Sequence, residues 1–410
     1  MVYIKREGVL LEPSELEFES QAVFNPTCIT KGDYIHMFYR AVDKKYCSRI
    51  GYCKLNGPLD IIERAEEPVL YPEFEWERHG VEDPRIVEID GTYYLFYTAY
   101  DGKNAAAAYA ISKDLKNFEK KGIISPDMSY EEAGDLFHKL RLKEKYRFFE
   151  AYYKDVVGED VLIWHKDVFM FPKKIKGKFA LVHRILPDIH IAYFEDFNEI
   201  NYEYWKNYFE NLSENILLSS KYWYESGNIG GGCVPIETGE GWLFIYHAVE
   251  DSDRGKIYHA AAALLDIENP QQVIGHLHNP LFSPQEKYEL YGDVNNVVFP
   301  TGTAIFDDKL YIYYGAADKR IAVVSLDINE LLDELIHSSN YYDLLYEIED
   351  SAEHIYHSVL KKSLDSTNLE NLKDIVDKDE KLILMAIGWL AREGKIDHID
   401  LKKDEIKIKK

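Results

Sequence analysis

The chain has 410 residues, 46% of them hydrophobic, and its 48 Lys plus Arg against 72 Asp plus Glu give a net charge of −24. That length predicts two domains, or one large domain with an appendage, and the apolar fraction is enough for a sizeable core. The acidic balance disfavours nucleic acid and anionic membranes as main partners, although a local cluster of Arg, Lys and His can reverse the field inside one pocket.

The opening stretch, MVYIKREGVLLEPSELEFES, has no apolar core of the kind a signal peptide needs, and no run of about 18 apolar residues follows. Cys28, Cys47, Cys53 and Cys233 have poor metal spacing and read as reduced thiols. A cytoplasmic protein without a membrane anchor is the expectation.

Five stretches then resemble one another: GDYIHMFYRAVD (32–43), GTYYLFYTAYDG (91–102), GKFALVHRI (177–185), GWLFIYHAVED (241–251) and DKLYIYYGAAD (308–318). Each is a Gly or Asp turn followed by a strand of apolar and aromatic residues. With Tyr39, Tyr97, His183, Tyr246 and Tyr314 as equivalent points, the spacings are 58, 86, 63 and 68 residues. Short strands at such a period predict a mainly β fold, a five-bladed β-propeller of four strands per blade, with a β-sandwich as the competing arrangement. The long second spacing calls for an insertion, and about 127–160 carries Leu, Phe, Glu and Lys at helical spacing.

The pattern turns helical near residue 330. The predicted organisation is a propeller over 1–328, a helical linker over 329–350, and a small α/β winged-helix-like domain over 351–410, with Gly394 ending a helix. This last segment carries 12 basic and 12 acidic side chains. Phosphate contacts need clustered cations, so a packing or oligomerisation role ranks above DNA reading, and a homo-oligomer is left open.

In a propeller, residues at the ends of the inner strands converge although they lie far apart in sequence. The repeats offer Arg40, Asp83 with Arg85, Lys166 with Asp167, His183 with Arg184, His247 and Asp318 at such positions. Carboxylates mixed with cations suit a polar substrate and an anionic co-substrate. The pair His276 and His278 is too short for a metal site, and no metal is expected. Gly230-Gly231-Gly232 lacks the Lys-Ser/Thr of a nucleotide loop.

Taken together, GVLLEPSELEFESQAVFNPTCI, FYRAVD, GVEDPRIVEIDGTYYLFYTAYDG, KDVFMFPKKIKGKFALVHR, GGGCVPIETGEGWLFIYHAVE and YGDVNNVVFPTGTAIFDDKLYIYYGAAD resemble glycoside hydrolase family 130, over residues 5–325. The resemblance implies a five-bladed propeller that acts on β-mannosides, by phosphorolysis or by hydrolysis. It implies that Asp83, in Glu82-Asp83-Pro84-Arg85, is the catalytic acid, working through a sugar hydroxyl. Asn25 and Asp318 would hold the mannosyl unit, with Glu82, Arg85 and Arg49 as further substrate contacts. Arg40, Lys166, Arg184 and His247 would gather phosphate. Cys233 and Val234 depart from the family's usual small residue and proline, which alters the distal sugar subsite. The stretch near Ala105 lacks an arginine often found there.

Inverting cleavage needs an acid on the leaving oxygen and a nucleophile on the opposite face. Inorganic phosphate can be that nucleophile if cations hold it, and no other cofactor is required. Lys166 fits that role where the hydrolytic branch of the family has a glutamate. Asp83 must carry a proton to act; Arg85 would oppose this and Glu82 favour it. The bland alternative is that Asp83 caps the turn before Pro84 and pairs with Arg85. Two further readings stand beside the phosphorylase: a hydrolytic β-mannosidase on the same fold, and a non-catalytic carbohydrate-binding protein. Five-bladed families that cleave arabinosides or fructosides use three carboxylates, and no third is evident beside Asp83 and Asp318.

Overall fold

The structure is a computed structural model that describes residues 2–137, 144–158, 160–253, 255–361, 366–376, 378–400 and 405–409. Two compact units divide the chain, Met1–Ile336 and His337–Lys410.

The first unit is mainly β. Its strands form five antiparallel meanders, here I to V; a parallel bridge between Ser48 and Gly80 joins I and II into one eight-stranded sheet, and IV carries a fifth, short strand. Meander I comprises Ala22–Lys31, Tyr34–Val42, Ser48–Asn56 and Asp60–Arg64; meander II comprises Gly80–Ile89, Thr92–Tyr100, Ala105–Ser112 and Glu119–Ile123. Meander III is Lys166–Met170, Phe179–Ile185, Asp188–Phe194 and Ile216–Leu218. Meander IV is Asn228–Gly231, Trp242–Ser252, Gly255–Leu265 and Val273–His276, with the short Ile236–Glu237 beside its second strand. Meander V takes Val298–Phe306, Lys309–Ala316 and Arg320–Asp327 from one end of the chain and Lys5–Leu11 from the other.

Each repeat read from the sequence is the hairpin turn and second strand of one meander. In meander II, Asp90 and Gly91 both have positive φ, 51° and 69°. A two-residue turn of that kind matches the right-handed twist of the strands it joins. The second strands pack against protein on both faces; Phe38, Phe96, Leu181, Phe244 and Ile312 are all inaccessible.

A second repeat was not read from the sequence. In four meanders a short turn ahead of the leading strand buries a glutamate. The second-strand tyrosine donates to it: Tyr39 to Glu19 at 2.7 Å, Tyr97 to Glu77 at 2.7 Å, Tyr246 to Glu225 at 2.5 Å and Tyr314 to Glu289 at 2.6 Å. A basic residue on the fourth strand, or beginning it, completes each group: Arg64 at 2.9 Å, Lys120 at 2.7 Å, His276 at 3.5 Å and Arg6 at 3.0 Å. A buried carboxylate persists only when paired in this way. Meander III is the exception. His183 takes the tyrosine's place and bonds the Tyr208 hydroxyl at 2.8 Å, among the buried His165 and His190. The segment that would carry the glutamate turn is the insertion, with helices Tyr130–Phe137 and Glu144–Val157. Residues 138–143 of the quoted insertion lie outside the described residues.

The second unit contains helices Leu369–Val376 and Glu380–Arg392 and a hairpin of Ile396–Asp400 with Glu405–Ile408. Ile355, Val359, Leu372, Ile383, Leu390 and Ile406 form its core. Asp379 caps the Glu380–Arg392 helix by accepting from the Leu382 N–H, and Gly394 follows its end at φ 70°. No break falls at residue 350, where the linker was expected to end: Ile328–Lys361 runs as one helix of 34 residues. Among the described residues no helix is long and apolar enough to cross a membrane.

Candidate active site

The site is built on bulges in the leading strands. Pairing slips between Phe24 and Thr27, between Glu82 and Arg85, and between Lys166 and Phe169. The residues at these slips, Asn25, Asp83 and Asp167, have φ of 49°, 51° and 55°. Asn and Asp tolerate this left-handed conformation better than most residues, and the extra residue re-aims its side chain out of the ladder. The second strands present side chains beside the bulges, with Arg40 paired to Phe24, Arg184 to Lys166 and His247 to Gly230.

Arg40 ties the acidic pair together. Its Nη2 donates to Glu82 Oε1 at 2.7 Å, its Nη1 to Asp83 Oδ1 at 3.3 Å, and its Nε to Ser48 Oγ at 2.9 Å. Asn25 Nδ2 donates to the same Asp83 oxygen at 2.8 Å. Lys166 Nζ stands 3.6 Å from Glu82 Oε2 and 5.1 Å from the centre of the Trp164 ring. Burial by itself would raise the Asp83 pKa, but Arg40, then Lys166, the Asn25 hydrogen bond and Arg85 outweigh it and hold the carboxyl at about 2. At Asp318 burial wins and pushes the pKa up to about 6, with Arg40 pulling it down and Asp83 adding to the rise.

A second cluster lies around Asp167. Arg184 Nη1 is 2.9 Å from Asp167 Oδ2 and 3.4 Å from His247 Nε2. Burial lowers the His247 pKa to about 3. Burial thus keeps His247 neutral in the empty site, and its ring stacks on Phe299 at 4.2 Å. Asp167, which the sequence placed beside Lys166 at a strand end without counting it as a third carboxylate, occupies the bulge position held by Asn25 and Asp83, although Val168 and not a proline follows it.

Arg85 and Arg49, the two further arginines expected to contact substrate, have protein partners of their own. Arg85 is 1% exposed; its Nε donates to Gly232 O at 2.8 Å and its Nη1 to Pro84 O at 3.0 Å. It is a tie between meanders II and IV, held by backbone carbonyls. Arg49 pairs with Asp43 at 2.9 Å and lines a separate cavity of about 740 Å³ with Cys47, Tyr71 and Arg78. A cavity of about 450 Å³ has Arg40, Glu82 and Asp318 in its lining, together with Tyr46, His79 and Tyr100. Its size suits a sugar, and it combines polar groups with aromatic faces. Among the described residues no cluster of His, Cys, Asp and Glu is arranged to hold a metal ion.

A family model described as β-1,4-mannooligosaccharide phosphorylase matches residues 7–336, and one for a winged helix-turn-helix domain matches residues 346–409. A 1,2-β-oligomannan phosphorylase of Thermoanaerobacter sp. (strain X514) is 33% identical over 344 residues, 81% of this chain and 99% of the relative. A β-1,2-mannobiose phosphorylase of the same organism is 34% identical over 340 residues, 79% of this chain and 96% of its own. Among solved structures, β-1,2-mannobiose phosphorylase from Listeria innocua, in complex with β-1,2-mannobiose, superposes with a TM-score of 0.61 at 24% identity. That superposition covers 81% of this chain and 99% of the other, and it bears on the fold.

Proposed function

The chain belongs to glycoside hydrolase family 130, and from that premise we propose that it is an inverting β-mannoside phosphorylase acting on β-1,2-linked mannosides. The observation that carries this reading is the charge of the site: Arg40 and Lys166 act on the one candidate acid, Asp83, and Arg184 stands beside Asp167, the next residue after Lys166. The linkage follows the relatives named for β-1,2-mannosides. The five meanders, the last closed by the first strand, are read as the blades of a propeller, and the enzyme as cytoplasmic.

In this reading Asn25 and Asp318 hold the mannosyl unit and Arg40, Lys166 and Arg184 receive inorganic phosphate, the co-substrate. A phosphate oxygen attacks the anomeric carbon as the bond to the leaving oxygen breaks. The products are α-mannose 1-phosphate and a shortened mannoside, whose hydroxyl takes its proton from Asp83. Asp83 is ionised in the empty site. A phosphate dianion beside Lys166 offsets the positive field that keeps it so and raises its proton affinity. No second carboxylate is needed to activate water, because phosphate is already a nucleophile.

Incubation of the protein with β-1,2-mannobiose, β-1,2-mannotriose and β-1,4-mannobiose, with and without phosphate, tests the reading. The expected result is sugar phosphate from the β-1,2 substrates and no turnover without phosphate. Free mannose formed at equal rate in both buffers would establish a hydrolase instead.

A further inference from the structure

We propose that Asp167 is the positioning residue of the phosphate site, holding Arg184 in the orientation that receives the anion. This rests on the phosphorylase reading of the same site. Asp167 occupies the bulge of meander III, as Asp83 does in meander II and Asn25 in meander I. It is 5% exposed, and its Oδ2 lies 2.9 Å from Arg184 Nη1 and 4.0 Å from His247 Nε2. An aspartate committed to an arginine in this way orients the guanidinium and leaves its other donors free for an anion.

The triple glycine supports this assignment. A Cβ at Gly230 would lie 2.3 Å from His247 Cε1 and 2.7 Å from Asp167 Oδ2. Only a glycine lets the leading strand of meander IV pass this close to the pair. The first glycine of the Gly-Gly-Gly run has its reason here, whereas a Cβ at Gly231 would meet Phe169 and one at Gly232 the carbonyls of Ile245 and Pro300.

Two effects of opposite sign separate positioning from bulk charge. Asp167→Asn removes a negative charge close to the phosphate; if the charge alone mattered, phosphate would bind more tightly. If Asp167 orients Arg184, phosphate binds more weakly. The Asp167–Arg184 contact is a buried ion pair, and the loss of phosphate affinity expected on breaking it is about tenfold or more. The test is calorimetric titration of inorganic phosphate into the intact protein, paired with steady-state kinetics on β-1,2-mannobiose. Asp167→Asn is expected to raise the phosphate Kd and KM about tenfold or more and to leave the mannobiose KM nearly unchanged. In an Arg184→Ala background the same substitution is expected to add no further loss, since the two residues act as one unit.

Unchanged or tighter phosphate binding in Asp167→Asn, or a full additive loss in the Arg184→Ala background, would overturn the assignment. If Asp167→Asn gives no cooperative thermal transition, Gly230→Ala disturbs the same pair from the opposite side. It is expected to show the same phosphate-specific loss, and normal phosphate affinity in it would also overturn the assignment. A wild-type protein that cleaves mannobiose without binding phosphate would refute the phosphorylase reading itself, and the positioning role with it.

Discussion

Asp83 and Asp318 are both buried carboxyls near Arg40, yet their proton affinities move in opposite directions. Asp83 has the closer cations and the Asn25 hydrogen bond, so its charge is stabilised. Asp318 is buried without such a bond and feels the Asp83 charge, so its neutral form gains. Asp83→Asn is expected to slow phosphorolysis by about 10²–10⁴-fold, the usual contribution of a general acid, while phosphate affinity stays the same or improves. The sign at Asp318 makes it a residue whose charge costs stability. Its folded pKa of about 6 lies above the ordinary 3.8, so folding is favoured below pH 3.8 and loses that contribution as pH rises toward 6. Asp318→Asn is therefore expected to raise the melting temperature at pH 7, by up to about 2 kcal/mol of stability, while mannoside turnover falls. A melting temperature at pH 7 that does not rise would contradict this.

Each buried glutamate of meanders I, II, IV and V binds three parts of its meander: its own turn, the second strand and the fourth. Lys120 approaches Glu77 at 2.7 Å with little exposure on either side chain. Glu77→Ala removes the buried partner of that ammonium, leaving it Glu73 at 3.0 Å and the Tyr71 carbonyl, and leaves the Tyr97 hydroxyl unpaired, so a loss of about 3 kcal/mol is expected in urea unfolding. Tyr97→Phe removes one hydrogen bond and is expected to cost about 1–2 kcal/mol. Equal losses in the two variants would show that the carboxylate does not tie the strands. Meander III carries a different liability. Burial lowers His165 to about 3 and His190 to about 4, and lowers His183 as well. The unfolded chain protonates these rings near pH 6.5 and the folded chain does not. Stability is thus complete above pH 6.5 and is lost as pH falls toward 4, by about 1.4 kcal/mol per histidine per pH unit. Thermal melts between pH 7 and 4.5 are expected to show this slope, and His190→Asn is expected to flatten it.

At the scale of the molecule, the first strand matters beyond its length. Lys5–Leu11 supplies the fourth strand of meander V, and Arg6 on it is the cation that completes the Glu289 group. Deleting residues 2–11 would bare the edge of Arg320–Asp327, whose Ile321, Ala322, Val323 and Val324 are fully buried. An open apolar edge templates pairing with other chains. The truncated protein is expected to aggregate and to lose its cooperative thermal transition; a soluble monomer melting within a few degrees of the full chain would exclude a closing role. The second unit has a core of its own drawn from residues 352–408.

The sequence by itself determined what depends on neighbours along the chain. Alternating apolar residues after Asp90-Gly91 or Gly177 give a hairpin whatever surrounds them, so five similar stretches were enough to count five meanders. The helical spacing of the insertion and the glycine after Arg392 were legible for the same reason. The Glu82-Asp83-Pro84-Arg85 stretch drew attention because its residues are adjacent. The tertiary structure decided which distant charges meet. Asp167 and Arg184, Glu82 and Lys166, and Glu289 and Arg6 come together only when separate strands pair or pack. The free energy of a buried charge depends on that partner and on exclusion from water, and neither is encoded locally. For this reason neither the burial that keeps His247 neutral nor the Gly232 and Pro84 carbonyls that Arg85 meets were legible in the sequence.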